Sequence, residues 1–376
     1  MRKGQLLRRR GSVAGLMGQA GTTGQNLQEA WTSRVSTITE EIWDECMLTP
    51  EPCKYALCLA GSGARREASP YSDLDCFILV ADSSPGNVKY FVDVTKRMQD
   101  VLTTLEGNSG LRLCNIMSPL GSPGNPKAPE LIRAPPDMAD LVEWSPDDIE
   151  SHICNGLMEH AFLKGDQQLY ADFKSDLNVI VAKTCFTFSS RLTITQGKTK
   201  GLAVIRDIVN DPRFAAPQVI DDTYHVKEQF YRPPQFIAKG LAWFYGVNET
   251  ATNNQLTALV QGNHMSALNS QRFTNVLNEM AKLRFKLHLD REGEKDFVYT
   301  DQAKRDQELA LLGPKAVKTE AEKERYNRLK SGTLLTSAEL AGLRSVIPDL
   351  AKIMRLARKF VKEKEKFLGK RGNPFV

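Results

Sequence analysis

In the stretch "GSGARREASPYSDLDCFILV", Gly61 and Ser62 are separated by ten residues from two aspartates, Asp73 and Asp75, that alternate with apolar neighbours. On an extended chain, residues i and i+2 face the same side, so the two carboxylates stand together while Leu74 and Cys76 face the other layer. Like charges that close need a counter-ion. A hard divalent cation, Mg²⁺ or Mn²⁺, takes oxygen ligands from one or two carboxylates and completes its shell with water and substrate phosphates. The preceding loop supplies the complement: Gly61 and Gly63 let backbone approach a ligand, Ser62 offers a hydroxyl, Arg65 adds positive charge, and free amides at a strand-to-helix turn favour phosphate oxygens. This set suits nucleotidyl transfer, in which a hydroxyl attacks the α-phosphorus of a nucleoside triphosphate and pyrophosphate leaves. A Ser-Asp-x-Asp is also common at turn-to-strand junctions, where the carboxylates accept backbone N–H bonds; on that reading Ser72 and Asp73 only shape the turn.

The surrounding elements must hold these residues. An amphipathic helix is expected from Asn26 to about Met47, with Leu27, Trp31, Val35, Ile38 and Ile42 on one face. "YALCLAG" from Tyr55 and "LDCFILVAD" from Leu74 read as central strands, Tyr90–Gly107 as a helix, and "GLRLCNIM" (110–117) as a third strand. Six prolines between Pro119 and Pro136 mark an irregular connection, and Ser145 or Asp147 is placed to cap the helix after it. Helical periodicity then dominates, near 147–163, 165–190, 222–246, 252–261, 271–288, 300–312, 318–330 and 336–368. The expected class is α+β: a basic arm over residues 1–24, a small mixed-sheet domain over 25–146 and an all-helical bundle over 147–376.

Composition narrows the setting. The net charge of +5 is modest and sits largely at the ends: five of the first ten residues are basic, and Arg355–Arg371 holds eight basic residues against two acidic. No continuous basic and aromatic groove suggests nucleic-acid binding. Seven scattered cysteines without CxxC pairs suit reduced thiols. No run of 18 apolar residues and no signal-peptide core occurs, so no membrane span is expected and a cytoplasmic setting is, with delivery by an unconventional signal left open. The helix near Ile353–Leu368, with Ile353, Leu356, Phe360 and Phe367 on one side, reads as a domain cap, or alternatively as a surface for a partner or anionic lipid.

The Gly-Ser, ten-residue spacing and Asp-x-Asp resemble the nucleotidyltransferase superfamily typified by DNA polymerase β. Arg65, Glu67, Pro70, Tyr71, Ser72, Asp73 and Asp75 match the version found in bacterial uridylyltransferases of nitrogen signalling and in a related group of signal-transduction nucleotidyltransferases. The layout is also similar to glutamine synthetase adenylyltransferases and to effectors that adenylylate host GTPases. The resemblance implies a small catalytic domain followed by a helical one, with Asp73 and Asp75 as metal ligands and Glu67 orienting Arg65 or the loop backbone. A second stretch, with Leu283, Arg284, Leu287, His288, Asp296 and Gln302, resembles the helical domain of those enzymes, which implies Lys227, Arg232 and Arg284 as nucleotide contacts. Read on their own, Arg284 and His288 are also a surface pair or a core histidine, and Tyr231–Pro234 the start of a helix.

The superfamily usually supplies a third carboxylate, the base for the attacking hydroxyl. Here the comparable run has Gly110 at that position and Asn115 as its nearest metal-compatible side chain, with Asp82 and Asp93 as remote substitutes. The reading expected is Mg²⁺-dependent transfer of AMP or UMP to a protein hydroxyl. A small molecule or an RNA end is an alternative acceptor, and a nucleotide-sensing protein that lost the chemistry is the alternative of another class.

Overall fold

The computed structural model describes residues 15–17, 19–106, 111–120, 131–143, 148–187, 192–214, 223–291, 296–312, 319–367 and 374–376. Residues 1–14 of the arm, Gly110, and the capping positions Ser145 and Asp147 lie outside them. The expected first helix is α1 (Gly24–Cys46); Leu27, Trp31, Val35, Ile38, Ile42 and Trp43 are buried along it. The two apolar runs form β1 (Tyr55–Ala60) and β2 (Cys76–Val80), every residue of both buried, joined through a short helical turn, α2 (Gly61–Ala64). Helix α3 (Pro85–Glu106) follows.

The third strand departs from expectation. Leu113 pairs with Leu74 in a single parallel bridge, and the strand that continues the sheet beside β2 is β3 (Ile132–Arg133), inside the proline-rich connection. The last two prolines of that run open helix α4 (Pro135–Glu143), because Pro needs no amide partner in a first helical turn.

Helix α5 (Asp148–Met158) is followed by Glu159, and His160–Gly165, which straddles two expected helices, is strand β4. β4 pairs antiparallel with β1, completing a mixed sheet of order β3-β2-β1-β4. Both faces of the sheet are covered, which is why β1 and β2 read as continuous apolar runs. On one face Ala56, Cys58, Ala60, Phe77 and Leu79 pack with Met138, Val142, Leu157 and Phe173 from α4, α5 and α6 (Gln167–Ala182). On the other, Tyr55 meets Trp43 and Phe91, its hydroxyl accepting the Trp43 indole N–H at 3.1 Å.

A hairpin, β5 (Thr184–Thr187) with β6 (Leu192–Thr195), leads into α7 (Gln196–Asn210). The chain divides into two compact units, one comprising 1–16, 28–199 and 248–254, the other 17–27, 200–247 and 255–376. This differs from the expected 146/147 boundary, since β4 belongs to the first sheet and carries α5 and α6 with it.

The second unit is mostly helical: α8 (Arg232–Tyr245), α9 (Thr252–Gln261), whose first residues belong to the first unit, α10 (Ala267–Arg291), α11 (Gln302–Leu312), α12 (Glu320–Ser331) and α13 (Ser337–Phe367). It is not purely helical, because β7 (Thr223–His225), β8 (Phe297–Tyr299) and β9 (Thr333–Leu334) form a small sheet beside a π-helical segment, Val226–Tyr231. Ile353, Leu356 and Phe360 of α13 are buried in this unit's core, as a domain-capping helix requires. Helices α7 and α8 approach closely at two glycines: a Cβ on Gly201 would lie 2.4 Å from the Gly240 carbonyl oxygen.

Candidate active site

Extended backbone from Asp73 to Cys76 places Leu74 and Cys76 in the core and leaves Asp73 and Asp75 partly exposed, the alternation expected from the sequence. The Ala60 N–H donates to the Asp75 carbonyl at 2.9 Å, so the β1–β2 ladder fixes Asp75 beside the start of the Gly-Ser turn. Gly61 adopts φ +55°, and a Cβ there would lie 2.3 Å from Asp75 Oδ2. Both the left-handed backbone and the carboxylate therefore require glycine at 61. Gly63 is different: its added Cβ would make only an ordinary contact, 3.6 Å from Leu59. Ser62 is half-exposed on the turn, and its carbonyl accepts the Glu67 N–H at 2.8 Å.

Arg65 was expected to face phosphates. It is buried instead, Nε donating to Glu67 Oε2 at 3.0 Å and Nη1 to Glu159 Oε2. Glu67 Oε1 accepts the Thr252 N–H at 3.0 Å, and its carbonyl accepts Gln28 Nε2 at 3.2 Å. The Arg-x-Glu is thus a clamp that ties the loop to α1, to the α5–β4 junction and to the start of α9. Two carboxylates around one guanidinium satisfy its fork. Glu67 thus pairs with Arg65 and with the backbone at Thr252. Ser72 is a turn residue: its hydroxyl is 2.8 Å from that of Ser69 and accepts the Ser69 N–H at 3.2 Å.

Two side chains not picked from the sequence border the carboxylates. The bridge between Leu74 and Leu113 puts Arg112 level with Asp73 and Cys114 level with Asp75. Arg112 Nε donates to Asp73 Oδ1 at 2.7 Å. Burial, reinforced by the Asp75 charge, pushes the Cys114 thiol up to about 12. Cys76 is raised further by burial and by Asp75. The sequence signal for Arg112 and Cys114 was the alternation in "LRLC", but only the register with Leu74 shows which residues they meet.

The other acids stand elsewhere. Asp82 lies past the opposite end of β2, accepting the Ser84 N–H at 3.0 Å, and Asp93 pairs with Lys89 on α3. Asn115 is exposed. Among the described residues, no group of three or more His, Cys, Asp or Glu side chains is arranged to hold a metal ion. Asp73 and Asp75 nevertheless fit one hard divalent cation, since two carboxylates plus substrate phosphates suffice for Mg²⁺.

The three cations expected from the helical domain belong to the second unit. Arg284 is buried, with Nε 2.8 Å from Asp296 Oδ1 and its guanidinium over the Tyr231 ring, and His288 Nε2 lies 3.4 Å from Asp296 Oδ2. Burial alone would raise Asp296, but Arg284 and His288 outweigh it and hold its carboxyl well below the usual range. Arg284 and His288 therefore surround Asp296 in the core of this unit. Arg232 pairs with Glu228 at 2.7 Å at the start of α8, followed by Pro233 and Pro234, and Lys227 is half-buried in the π-helical segment. A cavity of about 370 Å³ in this unit is lined by Leu27, Met280, Leu283, Leu343, Lys286 and Glu339, with the last two paired.

Residues 8–115 match the family model described as "Putative nucleotidyltransferase DUF294". No curated protein matches the chain.

Proposed function

Because residues 8–115 carry a domain of the nucleotidyltransferase superfamily, we propose that this protein transfers a nucleoside monophosphate, AMP or UMP, from its triphosphate to a hydroxyl of a protein, with Mg²⁺ or Mn²⁺ as cofactor. The observation that carries this reading is the seat of the Asp75 carboxylate against Gly61 in the Gly-Ser turn, with Asp73 on the same face. The turn offers backbone amides and the Ser62 hydroxyl to phosphate oxygens, and the two aspartates present oxygens to the cation that accompanies the triphosphate. When bound, that cation neutralises phosphate charge and favours departure of pyrophosphate. The acceptor oxygen forms a bond to the α-phosphorus as the bond to the bridging oxygen breaks, and the hydroxyl proton passes to solvent or to a base. The Arg65–Glu67–Glu159 clamp holds the loop in place.

A protein acceptor is argued from similarity to the uridylyl- and adenylyltransferases. Among the described residues no helix is long and apolar enough to cross a membrane. A second reading, a nucleotide-sensing protein without turnover, draws on the Arg112–Asp73 pair, which engages one of the two site carboxylates with a side-chain cation. Incubating the protein with each α-labelled triphosphate and Mg²⁺ in cell lysate separates them. Covalent label on a protein band supports transfer, whereas triphosphate binding without label supports the sensor.

A further inference from the structure

We propose, on the footing that the site transfers nucleotides, that Arg112 takes the place of a second divalent cation beside Asp73, leaving one ion to be shared by Asp73 and Asp75. Arg112 Nε is 2.7 Å from Asp73 Oδ1, an ionic hydrogen bond of ordinary strong length. Its backbone is fixed in the same register: the Leu74 N–H donates to the Arg112 carbonyl at 2.7 Å, and the Cys114 N–H donates to the Leu74 carbonyl at 3.0 Å. The Arg112 backbone is therefore anchored level with Asp73, and its exposed side chain reaches Asp73 from there.

One oxygen of Asp73 is engaged by Arg112, and the other is available for a cation facing Asp75. A second ion on Oδ1 would have to displace a charge that stays protonated at any working pH, and would be repelled by it until it did. The described residues also offer no third acid to compensate that repulsion. Arg112 supplies a fixed positive charge where a two-ion site supplies an exchangeable one. It is a positioning residue, holding Asp73 and balancing its charge.

The test is a calorimetric titration of Mn²⁺ into the full chain and into Arg112→Gln and Arg112→Lys, with folding checked by circular dichroism. The proposal expects one Mn²⁺ per wild-type chain and the same for Arg112→Lys. In Arg112→Gln it expects affinity tightened about tenfold, because a like charge has been removed from the site. Two ions per wild-type chain would overturn the proposal while leaving nucleotidyl transfer intact, and so would unchanged affinity in Arg112→Gln. No Mn²⁺ bound at millimolar concentration would overturn the proposal, while the proposed function, in which the cation arrives with the triphosphate, stands or falls by the labelled-transfer assay.

Discussion

At Gly61 a methyl group would meet a carboxylate at 2.3 Å on a backbone already at φ +55°. Gly61→Ala is expected to cost about 1–2 kcal/mol from the left-handed backbone alone, and to displace Asp75 in addition. Gly63→Ala should be nearly neutral in denaturant melts and in transfer, so the pair of variants separates a required glycine from a tolerated one. The sequence marked both glycines equally, because it does not show which Cβ would meet Asp75. Arg65 illustrates the same limit. Its spacing to Glu67 was legible, but Glu159 is ninety-two positions beyond Glu67, and only the fold makes it the second partner of a buried guanidinium. Removing Arg65 would take a charge partner from buried Glu159 and half-buried Glu67, so Arg65→Met should destabilise the protein by about 3–5 kcal/mol in a denaturant melt.

At the scale of elements, the pattern was most legible where one face or one run carries the burial. Helices α1 and α3 and strands β1 and β2 stand close to where their periodicity put them. β4 straddles the two helices expected near 147–163 and 165–190; its strand form comes from pairing with β1, a tertiary cause. β5 fell at the end of the helix expected near 165–190, whereas β6 and α7 lie between that helix and the next, where no element was expected. In β4, burial depresses His160 to about 4, with Lys174 adding to the effect, and its ring nitrogen Nδ1 lies 2.9 Å from the Tyr170 hydroxyl. Below pH 6.5 the unfolded chain takes up a proton at this histidine that the native chain refuses until about pH 4. Stability contributed by neutral His160 is thus lost as pH falls through that window, by at most about 3 kcal/mol. His160→Gln should flatten the pH dependence of the melt there, and an unchanged slope would contradict the assignment. At the α7–α8 crossing, Gly201→Val should cost about 1–3 kcal/mol or more by overpacking against the Gly240 carbonyl, whereas Gly86→Ala, with nothing within 4 Å, should be neutral.

For the whole molecule, the α+β class and the sequence of a small mixed sheet followed by a largely helical region were legible from the change in hydrophobic period. The division between units was not, because the proline-rich stretch suggested a boundary that β4 overrides by completing the first sheet. The loop and aspartate half of the site was legible, since a turn and an alternating strand are local. Arg112 was not, since its meeting with Asp73 depends on a parallel register across a long connection. The central claim is that the Asp73–Asp75 face, set against the Gly61 turn, carries out nucleotidyl transfer. Its most direct measurement is transfer of label from an α-labelled triphosphate in Mg²⁺ by the wild type, Asp73→Asn and Asp75→Asn, each with its melting curve. The expected result is labelled acceptor with the wild type and a loss of about a hundredfold or more in both variants, with folding retained. Labelling that persists undiminished in both variants would contradict it.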